Sequence, residues 1–180
     1  MPIMQRSLSR MKSAARTHWP SLAMLLAALV LAHLWQTRHV PSGMAPSFSA
    51  PAVSMQDAAV LSLAQWRAAH PGRPVALNFW AEWCPICKLE QDNITRVTSH
   101  WPVLTVAMRS GEAETVRQAL TRRGLPWATV VDPQGEIAAR YGVGAVPAFI
   151  VIDANGRVSA SSVGYTTTLG MWLRLMWAGL

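Results

Sequence analysis

Apolar runs suited to buried strands alternate with segments of helical periodicity from residue 55 to residue 180. Helices are predicted over residues 55–70, 84–101, 113–123 and 136–141. Strands are predicted over residues 75–81, 103–108, 128–132, 148–153 and 157–163. This alternation predicts an α/β sandwich built on a mixed sheet.

The last part of the chain predicts a hairpin followed by a helix. Asn155-Gly156 separates two β-rich runs and is typical of a tight hairpin turn, so the last two strands are predicted to be antiparallel. In the final segment, apolar residues recur at helical spacing, namely Leu169, Trp172, Leu173, Met176, Trp177 and Leu180. We expect this stripe to pack on the sheet.

The first 54 residues differ in character from the rest. Residues 21–35 carry no charged side chain, four cations precede them, and Arg38 follows. This charge bias predicts that residues 1–20 stay in the cytoplasm and that the body is translocated. Residues 21–37 are interpreted as a transmembrane anchor, with a cleaved signal peptide as the alternative. Residues 38–54 contain three prolines among Ser, Gly and Ala, which predicts an extended linker.

Composition narrows the classes of function. A hydrophobic content of 51% with 14% charged residues excludes a disordered chain. The net charge is +7, but residues 1–38 hold five cations and no Asp or Glu, so the body is nearly neutral and no nucleic-acid partner is expected. Two cysteines are too few for a disulfide-stapled mini-protein or a four-thiolate zinc site.

Both cysteines lie in one motif, Trp83-Cys84-Pro85-Ile86-Cys87, at a predicted strand–helix junction. Residues three apart on a first helical turn share a face and are close enough to form a disulfide. The unpaired N–H groups and the dipole at a helix start favour an anion, here the Cys84 thiolate. The motif therefore predicts Cys84 as a nucleophile and Cys87 as the resolving thiol.

Two other readings of the cysteine pair remain open. The first is an inert structural disulfide, although a bridge that closes so small a loop constrains little of the unfolded chain. The second is a copper(I) site, because two thiolates suffice for that ion; the five histidines, however, show no ligand-like spacing to the cysteines. Haem attachment is excluded because Lys88 rather than His follows Cys87. No metal site and no cofactor are predicted.

Residues 78–87 (NFWAEWCPIC) resemble the active-site stretch of the thioredoxin superfamily. Within it they are most similar to the membrane-anchored TlpA-like branch with the DsbE and ResA reductases, and closest to ScsD-type oxidoreductases. Residues 142–147 (GVGAVP), followed by 148–153, are similar to the cis-proline loop that faces the cysteines in this superfamily. The resemblance implies a thioredoxin-like three-layer sandwich with a mixed central sheet, preceded by a single transmembrane helix.

The resemblance also implies roles for individual residues. Pro147 is expected to follow a cis peptide bond and to present the backbone of Val146 to a substrate strand. Trp83 is expected to shape the docking surface beside the first cysteine. Independently of the resemblance, Pro85 stands in the first turn of the predicted helix, where proline is favoured. Glu90 matches the acidic position of TlpA-like reductases and is expected to relay a proton to the buried thiol; a solvated helix carboxylate is the alternative.

Proton transfer and redox direction depend on the neighbours of the motif. Asn78 stands where thioredoxin has a buried aspartate, and an amide cannot titrate, so the proton is expected to pass through Glu90 or water. Glu82 is a weaker substitute that we expect to be exposed. Pro85-Ile86 offers no donor or charge, and Lys88 is the only nearby cation, which predicts a reducing potential.

These observations predict a membrane-tethered, extracytoplasmic thiol:disulfide oxidoreductase whose domain spans residues 55–180 and reduces disulfides of substrate proteins. The predicted location is the inner membrane, with one span, a cytoplasmic N-terminus and a periplasmic catalytic domain. The resemblance implies a DsbD- or CcdA-like membrane thiol transporter as the electron donor. An apocytochrome c reductase for haem attachment and a copper(I)-binding protein of a copper-tolerance system are the alternatives.

Overall fold

The computed structural model describes residues 19–28, 30–32, 35, 37–53 and 60–180. The chain forms two compact units, Met1–Arg38 and His39–Leu180. In the first unit, the described residues from 19 to 37 are helical. No helix within the described residues is long and apolar enough to cross a membrane. Four positions of the predicted span over 21–37 lie outside the described residues.

The second unit contains eight strands and five helices in its described residues. The strands are β1 (Gly43–Met44), β2 (Ser49–Val53), β3 (Val60–Ser62), β4 (Val75–Trp80), β5 (Val103–Met108), β6 (Thr129–Asp132), β7 (Ala148–Ile152) and β8 (Arg157–Val163). The helices are α1 (Leu63–Ala68), α2 (Pro85–Thr98), α3 (Ala113–Arg123), α4 (Glu136–Arg140) and α5 (Thr168–Ala178).

The strands form one mixed sheet in the order β1-β8-β7-β4-β5-β6-β2-β3. The pairs β4–β5 and β5–β6 are parallel, whereas β4–β7 and β7–β8 are antiparallel, as the hairpin turn predicts. All six residues of β4 and of β5 are buried, because helices cover both faces at the centre of the sheet.

Helices cover both faces of the sheet, which confirms the predicted α/β sandwich. On one face, α1 and α4 pack over a cluster that includes Leu63, Phe79 and Tyr141. On the other face, α2, α3 and α5 pack over a cluster that includes Trp80 and Ile94. We expect the unit His39–Leu180 to fold on its own, because it contains the whole sheet and both clusters.

The linker prediction for residues 38–54 is wrong where β1 and β2 form. β1 pairs with β8, and β2 pairs with β6 and β3. Between these strands, the Tyr141 hydroxyl donates to the Pro46 carbonyl oxygen at 2.7 Å, and Phe48 is buried. The prolines are typical of a linker, but β1 and β2 form strands here because the open edges of β8 and β6 pair with them. The domain therefore begins at His39 rather than at residue 55.

Residues 39 and 40 run so close to the end of α4 that Gly142 has no room for a side chain. Gly142 has φ 63°, and a Cβ atom there would collide with the His39 carbonyl oxygen. Gly124, at φ 61°, faces open space. We expect Gly142→Ala to lower the free energy of unfolding by about 2 kcal/mol. Gly124→Ala should lower it by only about 1 kcal/mol, because its side chain has the cost of the left-handed backbone but no clash. Urea unfolding measures both; equal losses would contradict the packing of residues 39 and 40.

The predicted helix over residues 55–70 is wrong at residues 60–62. Residues 60–62 form β3, and α1 begins at Leu63 after a capping box between Ser62 and Gln65. Residues 55–59 lie outside the described residues. The apolar spacing of this stretch suits a helix, but three residues pair with β2 as a strand before the helix starts.

The packing face predicted for the last helix is also wrong. Met171 and Leu175 are the buried residues of α5, whereas most of the predicted stripe, including Leu169 and Trp177, is exposed. α5 is apolar on opposite sides, so its periodicity indicates a helix without showing which side meets the sheet. The remaining helices and strands lie within a few residues of their predicted bounds.

Candidate active site

The two cysteines form a disulfide at the start of α2, directly after the central strand β4. Cys84 is the N-cap residue in extended conformation, and Pro85 occupies the first turn, where its missing N–H costs nothing. The Cα atoms of Cys84 and Cys87 are 5.3 Å apart. The Cys87 N–H points at the Cys84 Sγ at 3.1 Å, so it is placed to stabilise a thiolate there.

Position, rather than exposure, distinguishes the two sulfurs. Cys84 is 4% exposed and Cys87 is 5% exposed, so burial alone does not identify the nucleophile. Cys84 caps the helix and faces the neighbouring loop. Cys87 lies on the buried side of α2 together with Glu90 and Ile94. The helix cap is therefore the feature that favours Cys84 as the attacking sulfur.

The loop before β7 lies against the first cysteine. The end of β4 pairs with the start of β7, Phe79 opposite Ala148, which brings the residues preceding β7 to the start of α2. The peptide bond Val146-Pro147 is cis, as the resemblance implies. The Val146 carbonyl oxygen is 3.6 Å from the Cys84 Sγ, so this backbone and the sulfur share one surface.

Trp83 forms an exposed wall beside Cys84. Its side chain is 59% exposed, and its Nε1–H donates to the Arg109 carbonyl oxygen at 3.0 Å. Arg109 follows β5 and has φ 48°, in the left-handed region that non-glycine residues rarely adopt. Sequence reasoning missed Arg109 because a backbone acceptor carries no signal in the residue type. Ile86 is also exposed, so the rim around Cys84 is apolar.

Glu82 is half-buried rather than exposed, which corrects the expectation for this residue. Its carboxylate forms an ion pair with Arg123, and its N–H donates to the Ser110 Oγ at 2.9 Å. Arg123 also donates to the Glu82 carbonyl oxygen at 3.3 Å. Glu82 therefore fixes the chain between β4 and the cysteines to α3.

Glu90 is the buried carboxyl group closest in sequence to the dithiol. Its side chain is 2% exposed, and burial raises its pKa from 4.5 to about 7, although the hydrogen bond from the Thr166 N–H opposes that shift. The Thr166 N–H donates to the Glu90 Oε1 at 2.5 Å. Cys87 precedes Glu90 by three residues, so the two side chains share a face of α2. The solvated alternative for Glu90 is wrong, because the segment between β8 and α5 covers it.

Asn78 is buried in the middle of β4. Its Oδ1 has no hydrogen-bond partner among the described residues. An amide there cannot exchange a proton with the dithiol, whereas Glu90 is a buried titratable group on the same helix side as Cys87. The described residues contain no group of three or more His, Cys, Asp or Glu side chains that could hold a metal ion.

Several curated relatives are thiol-redox proteins by name. The chain is 36% identical over 83 residues to the thiol:disulfide interchange protein DsbE homolog of Paracoccus denitrificans, covering 46% of each chain. It is 33% identical over 102 residues to the thiol-disulfide oxidoreductase ResA of Geobacillus thermodenitrificans, covering 54% of this chain and 59% of that one. A thioredoxin-like protein of Haemophilus influenzae is 32% identical over 107 residues, covering 59% and 64%. The chain thus matches between about half and two thirds of these relatives' lengths.

Solved structures share the fold. A putative thiol:disulfide interchange protein DsbE from Chlorobium tepidum superposes with a TM-score of 0.66 at 23% identity, covering 78% of this chain and 99% of that chain. StoA from Bacillus subtilis superposes with a TM-score of 0.57 at 20% identity, covering 74% and 97%. These similarities confirm the thioredoxin-like fold.

The part of the chain that matches a known protein family contains both landmarks of the site. It extends over residues 42–169, which include the cysteine motif at the start of α2 and the cis-proline loop before β7. The matched region also takes in β1 and β2, in agreement with a domain that begins before residue 55. The chain belongs to the Redoxin family.

Proposed function

We propose that this protein is an extracytoplasmic thiol:disulfide oxidoreductase that reduces disulfides in substrate proteins and is held at a membrane through residues 1–38. The observation that carries the proposal is the Cys84–Cys87 disulfide at the start of α2, within 3.6 Å of the backbone that precedes the cis proline. A disulfide at a helix cap, beside an exposed apolar rim, suits exchange with another protein rather than a structural link.

The proposed cycle transfers two electrons. In the reduced protein, the Cys84 thiolate attacks one sulfur of a substrate disulfide and expels the other sulfur as a thiolate, forming a mixed disulfide. Cys87 then loses its proton and attacks the Cys84 sulfur. This second step releases the reduced substrate and restores the Cys84–Cys87 disulfide. A dithiol donor must reduce that disulfide again by the same exchange.

Glu90 is proposed to hold the proton of the resolving step. A carboxyl with a pKa of about 7 is present in both protonation states near neutral pH, so it can accept a proton from Cys87 and return it. The thioredoxin aspartate position is filled by Asn78, which cannot perform this task. The backbone N–H of Thr166 keeps the carboxyl in place whichever state it adopts.

The membrane location rests on the first unit of the chain. Its described residues expose eight large apolar side chains, namely Trp19, Leu22, Met24, Leu25, Leu26, Val30, Leu31 and Trp35. Cations precede this stretch and no Asp or Glu lies in residues 1–38, which favours a cytoplasmic N-terminus and an exported domain. A DsbD- or CcdA-like membrane thiol transporter is the proposed donor, because such a domain lies outside the reach of cytoplasmic reductants.

The reduction potential of residues 39–180 tests the proposed direction. We expect a value closer to that of thioredoxin, about −270 mV, than to that of DsbA, about −120 mV, because Pro85-Ile86 offers no donor to stabilise the thiolate. Equilibration with dithiothreitol redox buffers measures it, and insulin reduction measures the activity. A value near −120 mV would contradict a reductase. Tight stoichiometric copper(I) binding without insulin reduction would contradict an oxidoreductase altogether.

A further inference from the structure

The outward side of α5 is an unpartnered apolar surface. Leu169, Leu173, Met176 and Trp177, here called the α5 outer face, have exposed fractions of 68%, 55%, 52% and 77%. At 3.6 residues per turn, these four side chains fall within a sector of about 100°. The buried side of the helix points the opposite way, into the sheet. A contiguous apolar patch of more than a few hundred Å² on a soluble domain marks an interaction surface.

Cations border this surface on both flanks. Arg174 lies on one flank and donates to the Gly170 carbonyl oxygen, and α5 contains no Asp or Glu. On the other flank, the His100 ring is 5.2 Å from the Trp172 ring. Arg73 donates to the His100 carbonyl oxygen at 2.9 Å and stands over the Trp101 ring. Basic and indole side chains around exposed leucines are typical of surfaces that bind anionic lipid.

Two acidic groups, Asp153 and Asp92, lie on elements next to this surface. Asp153 lines a hollow together with Trp177, but its Oδ1 already accepts a hydrogen bond from the Arg157 N–H. Asp92 is exposed on α2, where Arg96 follows one turn later. Each of these carboxylates has an arginine nearby in the chain, Arg157 for Asp153 and Arg96 for Asp92, so Arg174 and Arg73 leave the rim of the α5 outer face with a net positive charge.

We infer that the α5 outer face inserts into the interface of an anionic bilayer and lays the domain on the membrane surface. Trp177 and Leu173 enter the headgroup–acyl boundary, while Arg174 and Arg73 reach lipid phosphates from the flanks. A second copy of the chain fits less well. A two-fold contact would place Arg174 of one copy near Arg174 of the other copy. α5 has no acidic side chain that could pair with either of them.

Lipid contact of this kind leaves the dithiol accessible. The Thr168 hydroxyl donates to the Asn93 Oδ1 of α2, and just beyond the end of α2 the His100 ring lies 5.2 Å from the Trp172 ring. Residues nearer the C-terminal end of α5 therefore lie farther from Cys84. The active site lies beyond the N-terminal end of the inserted face. This membrane contact depends neither on the redox activity nor on residues 1–38.

Vesicle binding by residues 39–180 tests the inference, because this fragment lacks the apolar N-terminal segment and contains the complete sheet. The probe is vesicles of equimolar phosphatidylglycerol and phosphatidylcholine, compared with pure phosphatidylcholine in a flotation assay. We expect binding to the anionic vesicles that weakens as ionic strength rises. We expect the double variant Leu173→Gln/Trp177→Gln to lose about tenfold or more in affinity.

The matched control is Val60→Gln, which changes a side chain of similar exposure on β3, at the opposite edge of the sheet. It should bind as the unchanged fragment does. In Trp177→Leu, binding should persist, while quenching of tryptophan fluorescence by brominated lipid should fall. Far-ultraviolet circular dichroism establishes that each variant is folded.

Three results would overturn the inference. The unchanged fragment could fail to bind anionic vesicles, which would indicate that a protein rather than a membrane covers this face. The double variant could bind as well as the control. Sedimentation equilibrium without lipid could show a dimer that the double variant abolishes, which would assign the face to a second copy.

Discussion

Replacing Cys84 with serine should abolish disulfide reduction, with a loss of about a thousandfold or more in the rate of insulin reduction. Serine keeps the size of the side chain and still caps α2, but its hydroxyl is not ionised at neutral pH and cannot form a mixed disulfide. Thermal unfolding should show that the variant remains folded when compared with the reduced parent protein.

Cys87→Ser is the matched partner of this variant. Cys84 still attacks in Cys87→Ser, but the mixed disulfide has no resolving thiol, so substrate proteins should accumulate on Cys84 as covalent adducts. Non-reducing electrophoresis with mass spectrometry detects them. A mixed population of envelope proteins among the adducts would argue against a dedicated apocytochrome c reductase. Adducts on Cys87 of the Cys84→Ser variant would reverse the roles assigned to the two sulfurs.

Glu90→Gln should remove a large pH dependence of stability. The pKa of Glu90 is raised to about 7 in the folded protein, against 4.5 for an ordinary glutamate. The folded state therefore binds this proton more tightly than the unfolded state. The contribution of this proton to the free energy of unfolding is largest below pH 4.5 and is lost as the pH rises through 7, by about 3 kcal/mol at most. Glutamine keeps an oxygen for the Thr166 N–H and carries no titrating group.

Urea unfolding of the oxidised protein between pH 4.5 and 8 measures this effect. The control is Glu136→Gln, because the Glu136 side chain is 72% exposed and should leave the pH dependence of the parent protein unchanged. Glu90→Gln should also slow resolution of the mixed disulfide by about tenfold to a hundredfold, since it deletes the carboxyl one turn from Cys87. Parallel stability curves for Glu90→Gln and the parent would refute a buried, protonated carboxyl.

The chemistry of the site was predictable because it depends on local spacing. Two cysteines three residues apart after an apolar strand imply a helix cap with two sulfurs on one face. The predicted bounds of α3 and β8 agree with the structure for a similar reason, since Gly124 and the Asn155-Gly156 turn define their ends within the local sequence. The cis bond before Pro147 required the family resemblance, because periodicity carries no information on it.

The rest depends on contacts between distant segments. β2 contains Pro51, and its pairing with β6 is a tertiary contact, although the alternation of Phe48, Ala50 and Ala52 is a weak strand signal. The inward side of α5 is decided by the sheet surface that it meets. The high pKa of Glu90 depends on its burial, and the segment that covers it contains Thr166, which lies 76 residues away along the chain.

The short loop between β8 and α5 contacts both the carboxyl group of Glu90 and the start of the last helix. Thr166 holds the Glu90 carboxyl, and the Thr167 hydroxyl accepts the Gly170 N–H that starts α5. Tyr165 meets Asn93 of α2 through its own hydroxyl. A substitution in this loop would change both the pKa of Glu90 and the packing of the last helix. Phenotypes that map there will report on both properties, and only substitutions outside it separate one from the other.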